Sequence, residues 1–123
     1  MPVRSLNSSV LRWPERDFVL HRLERWAAEE RRRHPRLKAL GYFGSYARGD
    51  AGVGSDLDLV AIVTGSDVPF ERRALDWDLS GLPLPAEILV YTEQEWQDLM
   101  AGEGRFAHMI KTETVWLQEP AEV

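Results

Sequence analysis

Asp56 and Asp58 stand two residues apart at the head of an apolar run that continues through Val63. In an extended strand, residues two apart share a face, roughly 6.6–6.8 Å from one another. Both carboxylates then project together, while Leu57 and Leu59 turn to the opposite side. Aspartate is depleted in strands, and two such charges repel by roughly 2.4 kcal/mol at about 7 Å and an effective dielectric of about 20. A divalent cation would convert that repulsion into affinity, and hard cations such as magnesium take carboxylate oxygens. An isolated Asp-x-Asp also occurs as solvated side chains or as caps on nearby amides.

Upstream, Gly44-Ser45 ends another apolar run. A strand that closes in Gly-Ser at a helix start offers amide N–H groups and a hydroxyl to an anion, and glycine lets a phosphate approach the backbone closely. Ser45 is expected to N-cap a short helical turn through Ala47 and Arg48; an ordinary tight turn would use the same residues. Glu87 opens the run Glu-Ile-Leu-Val-Tyr. If that strand lies beside the 56–63 strand, Glu87 faces the two aspartates; otherwise it is a solvated strand-start residue. Three carboxylates can hold two metal ions about 3.5–4 Å apart, the arrangement that clamps attacking and leaving oxygens in phosphoryl transfer. An anion cradle beside a cation site is what a metal–nucleoside triphosphate requires.

The elements that must position these residues follow from patterning. Pro14 suits a first helical turn, and Val19, Leu20, Leu23, Trp26 and Ala27 recur at helical spacing. Arg31, Arg32 and Arg33 crowd the last turn, where positive charge meets the helix dipole, and Pro35 stops it. Strands are expected over 37–43, 56–63, 87–91 and 115–117. Short helices are expected over 70–77 and 106–111. Thr92 and Glu95 have capping-box spacing for a helix that closes at Gly102. Residues 1–12 form a weakly patterned lead-in. Strands alternating with helices predict an α/β or α+β domain over 1–123, a small mixed sheet with helices packed on one face.

The combination Gly44-Ser45, a ten-residue spacer and Asp56-Leu57-Asp58 resembles the signature of the nucleotidyltransferase superfamily that includes DNA polymerase beta. The run Gly-Ser-Tyr-Ala-Arg-Gly at 44–49, followed by Ser-Asp-Leu-Asp-Leu at 55–59, is similar to minimal nucleotidyltransferases. The resemblance implies a polymerase beta palm-like fold. It implies that Asp56, Asp58 and Glu87 bind two Mg2+ ions, with Glu87, where many relatives have Asp, helping to activate an acceptor hydroxyl. It implies that Gly44 and Ser45 hold the β- and γ-phosphates of ATP. Arg48 would either steady the same phosphates or brace the loop. The reaction implied is attack of a hydroxyl on the α-phosphate, which transfers AMP and releases pyrophosphate. Minimal members are commonly paired with a small all-helical HEPN protein. The resemblance therefore implies an antitoxin that adenylylates a tyrosine of a HEPN toxin, a hetero-oligomer. A chain of 123 residues leaves little room for an acceptor domain, which fits presentation of the acceptor by a partner.

Composition narrows the remaining classes. The chain lacks cysteine, which excludes disulfides, thiolate metal sites and cysteine nucleophiles, and a reducing cytoplasm is expected. No run approaches the ~20 apolar residues of a membrane span, and no apolar leader follows the first residues. A net charge of −5 speaks against direct nucleic-acid binding. His21, His34 and His108 have no zinc-like spacing. Neither a Gly-Lys-Ser/Thr phosphate loop nor a dinucleotide-binding fingerprint is present. Most of the five tryptophans are expected in the core, one or two in a partner interface. Two rival functions stand beside adenylylation of a protein. One is a binding module that neutralises its partner by contact. The other is an adenylyltransferase for a small hydroxylated molecule.

Overall fold

The computed structural model describes residues 14–118, so the lead-in expected over 1–12 lies outside the described residues. The first element is α1 (Arg16–Arg33), whose buried positions Val19, Leu23, Trp26, Ala27 and Glu30 form one stripe. It starts at Glu15 without a side-chain cap, and ends one residue before the expected proline stop, at His34. Glu30 is an unanticipated member of that stripe. It is buried, and it accepts from Arg33 Nη1 at 3.0 Å while His34 Nε2 lies at 3.1 Å. His34 in turn stacks on Trp77 with ring centroids 3.8 Å apart.

Four strands follow among the described residues: β1 (Leu37–Phe43), β2 (Leu57–Val63), β3 (Ala86–Thr92) and β4 (Val115–Gln118). They form one sheet in the order β3-β2-β1-β4. β1 runs antiparallel to both β2 and β4, and β2 runs parallel to β3. The two central strands are buried at all but one position each, as expected of strands covered on both faces. Gly41 permits the edge pairing: a Cβ there would stand 2.7 Å from the Val115 carbonyl oxygen and 2.9 Å from Trp116.

Connections between strands are helical. α2 (Ser45–Arg48) follows β1. α3 (Phe70–Arg73) and a 3-10 turn (Ala74–Asp76) carry the crossover from β2 to β3, splitting the helix expected over 70–77. α4 (Glu93–Ala101) opens on the expected capping box: Thr92 Oγ1 accepts from Glu95 N–H at 3.2 Å, and Glu95 Oε1 accepts from Thr92 N–H at 2.9 Å. α5 (Arg105–Glu113) then leads into β4.

The mixed sheet and fold class are as expected, but the helices do not keep to one face. Leu40, Tyr42, Leu57, Leu59, Ala61, Ile88 and Val90 pack with α1 on one side. Phe43 and Val60 pack with Ile110, Trp96, Leu99 and Met109 of α4 and α5 on the other. Strand alternation explains this: Val60 and Phe43 point away from the α1 layer, and a second helical layer must cover them. Trp26 and Trp77 are core residues, whereas Trp96 and Trp116 lie half-buried in the second layer, 5.7 Å apart.

Candidate active site

The end of β1 and the starts of β2 and β3 meet at one edge of the sheet. Gly44 leaves β1 with φ 78° and ψ −151°, a backbone state that side chains rarely adopt. Its carbonyl accepts from Arg48 N–H at 3.0 Å, which begins α2. Gly44 is thus the N-cap and Ser45 the first helical residue, one position on from the expected arrangement, and no side chain caps the helix. The reason is spatial. A Cβ at Gly44 would stand 3.2 Å from Asp58 Cγ and overlap Oδ2. α2 is held from below by Tyr46, which is buried in the α1 layer. The Tyr46 carbonyl accepts from Arg16 Nη2 at 3.0 Å. Gly49, at φ 86°, closes the turn with its N–H on Ser45 O. The amides of Ser45, Tyr46 and Ala47 belong to a first helical turn, where no intrahelical acceptor exists.

Asp58 is half-buried at the second position of β2. Its register partners are Phe43 on β1 and Glu87 on β3. Because β2 and β3 are parallel and in register, Asp58 and Glu87 occupy the same face of adjacent strands, about 4.8 Å apart at the backbone. Asp56 lies just outside the strand, and both Asp56 and Glu87 are exposed. Burial raises the Asp58 carboxyl above the ordinary aspartate range, Glu87 and then Asp56 push it the same way, and the Arg48 guanidinium opposes them. Two carboxylates and one guanidinium therefore act on Asp58 here.

None of the three carboxylates accepts a hydrogen bond from another described residue, so they do not serve as caps there. Nor are three acidic or histidine side chains gathered tightly enough, among the described residues, to form a ready cage for one ion. Asp56 and Glu87 reach into solvent, and mutual repulsion favours rotamers that keep like charges apart. The donor chemistry fits a hard divalent cation: carboxylate oxygens only, with a like-charge penalty at Asp58 that such an ion would relieve.

Arg48 is exposed and braces the loop, donating from Nε to Asp50 Oδ2 at 3.2 Å and from Nη1 to Glu113 Oε1 at 3.1 Å. These two carboxylates raise its already high affinity for its proton. Glu113 was not legible as a site residue, because nothing in the local sequence of α5 indicates that its end comes to rest beside α2. A cavity of about 360 Å3 lies at the opposite end of the sheet, between Arg33, Arg36, Val63, Arg73, Trp77 and Val90. It does not involve the carboxylates.

Comparison with known proteins agrees with the geometry. A family model described as a nucleotidyltransferase domain matches residues 24–112. A search of the curated proteins gives no match. Among solved structures, a protein from Sulfolobus solfataricus assigned as a nucleotidyltransferase superposes with a TM-score of 0.59 at 20% identity, over 82% of this chain and 80% of that one. A chain from a toxin–antitoxin complex with AMP-PNP superposes with a TM-score of 0.52, also at 20% identity, over 76% of this chain and 71% of that one. At that identity the two structures speak to the fold.

Proposed function

The chain belongs to the nucleotidyltransferase domain family, and from that premise we propose that it transfers AMP from ATP to a hydroxyl, a tyrosine of an all-helical HEPN toxin, as the antitoxin of the pair. The observation that carries this reading is the register of β2 with β3, which sets Asp58 beside Glu87 next to the Gly44 turn. The toxin–antitoxin complex with AMP-PNP among the structural neighbours supports a toxin as the partner.

Each residue has a physical task in this reading. The first-turn amides of α2 receive the β- and γ-phosphates at the Gly44 turn, with Ser45 supplying a hydroxyl. Arg48, held by Asp50 and Glu113, contributes positive potential without leaving its brace. Asp56, Asp58 and Glu87 would hold two Mg2+ ions, which when bound neutralise the triphosphate and lower the pKa of the attacking hydroxyl. Glu87 orients that hydroxyl and receives its proton. The new bond joins the acceptor oxygen to the α-phosphorus, and the bond from that phosphorus to pyrophosphate breaks.

The experiment is incubation of the full chain with α-labelled ATP, magnesium and the product of the neighbouring gene. Label is expected on that product with wild-type protein, and none with Asp56→Ala or Asp58→Ala. Folded wild-type protein that leaves the product unlabelled overturns the reading.

A second reading, neutralisation of the partner by contact alone, has one observation in its favour: the carboxylates do not form a ready cage. It requires neutralisation to survive Asp56→Ala and Glu87→Ala alike. Labelling of aminoglycosides without any protein partner would instead point to a small-molecule acceptor.

A further inference from the structure

The second helical layer carries a residue that the site described above does not use. Phe106, in the first turn of α5, is a large apolar side chain left 38% exposed. Its ring meets Phe43 edge-to-face, with centroids 6.1 Å apart. Phe43 is the register partner of Asp58. Phe106 therefore packs on the residue that pairs with Asp58 across the β1–β2 ladder.

α5 is pinned along the site at its middle and at its C-terminal end. Ile110, fully buried, packs with Phe43 and Val60, and Glu113 holds Arg48 beside the glycine–serine turn. Positions 106, 110 and 113 share one helix face, so that face runs from Phe43 to α2. The other exposed phenylalanines are occupied differently. Phe18 lies under the Arg22 guanidinium and Phe70 under that of Arg73, each at 5.8 Å. Among the described residues no cation lies over Phe106.

We propose that Phe106 is the platform on which the nucleobase of the substrate stacks. The inference rests on the nucleotidyl-transfer reading, and names what that reading lacks: a surface for the base. If the triphosphate lies along α2 and the α-phosphate reaches Asp58, the ribose carries the base onto the sheet face that Phe43 and α5 enclose. An aromatic ring there reads π-surface rather than hydrogen-bonding edges. The substrate class is then the purine nucleoside triphosphates, with ATP and GTP bound similarly and both ahead of CTP and UTP, because the larger ring system stacks over more area.

Calorimetric titration of the full chain with non-hydrolysable ATP and CTP analogues, in magnesium, tests this apart from catalysis. Phe106→Ala is expected to weaken the ATP analogue by about fivefold or more, and to bring the two analogues to similar affinity. Phe106→Tyr should bind as wild type. Phe106→Leu, which keeps apolar bulk against Phe43, should weaken binding while the thermal midpoint stays close to wild type; it decides the matter if the alanine variant does not fold. Leu75→Ala, at another exposed apolar position, should change nothing. Unchanged nucleotide affinity in Phe106→Leu overturns the proposal, as does a loss confined to KM for the protein acceptor, which would make Phe106 an acceptor contact. Absence of any nucleotide binding by folded wild-type protein would instead overturn the nucleotidyl-transfer reading itself.

Discussion

Asp58 is half-buried, pushed toward its neutral form by burial, Glu87 and Asp56 together, and relieved only by Arg48. Removing its charge should therefore separate stability from activity. Asp58→Asn is expected to keep or raise the thermal midpoint while labelling of the acceptor falls below detection; a clear loss of midpoint would show that the carboxylate holds the fold instead. Gly44 is the opposite case. Its positive φ and the Asp58 oxygen above it both exclude a side chain. Gly44→Ala should cost about 1–3 kcal/mol in urea unfolding and displace Asp58 as well. Asp56-x-Asp58 and Gly44-Ser45 could be read from the chain because residue type and spacing alone carry their meaning. Glu113 could not, since its partner Arg48 is 65 positions away.

Among the elements, α3 and α4 are joined by one ion pair with a structural role. Arg73 is buried and donates to the carbonyls of Val68 at 2.8 Å and Val90 at 3.0 Å, and to both oxygens of Glu95 at 2.6 and 3.1 Å. Glu95 also completes the cap of α4. The Arg73 hydrogen bond is the largest cause holding the Glu95 carboxyl down at about 2. A depressed carboxylate contributes stability that is complete above its unfolded value of about 4.5 and is lost as pH falls from there toward 2. Glu95 is 41% exposed, so solvent screening reduces this to on the order of 1 kcal/mol. Urea midpoints measured from pH 6 to pH 2.5 should fall more steeply in wild type than in Glu95→Gln; equal slopes would remove the pair from the acid response. α5 depends on packing instead. Ile110→Ala should cost about 2–5 kcal/mol, and, by loosening the helix that holds Phe106 and Glu113, should weaken nucleotide binding as well. Whereas the cap expected at Ser45 fell on Gly44, the capping box of α4 and most element bounds followed from short-range sequence signals. The split of the 70–77 helix did not, because Trp77 turns into the α1 layer while Phe70 stays beside Tyr91, 5.1 Å away on the other side of the sheet.

Over the whole molecule, the site exists because three chain segments end at the same edge of one sheet. The chain alone determined that carboxylates and a glycine–serine turn were available, and that apolar strands alternated with amphipathic helices. Those properties are written in period and residue type, over distances of a few positions. The order β3-β2-β1-β4, and with it the pairing of Asp58 with Glu87, was settled only in the folded state. A one-residue slip of β3 would have sent Glu87 to the α1 side, and what forbids that slip is the burial of Ile88 and Val90 against residues far away in the chain. The same holds for the second helical layer: Phe43 and Val60 are apolar wherever they are read, but which helix covers them depends on every other contact being satisfied at once.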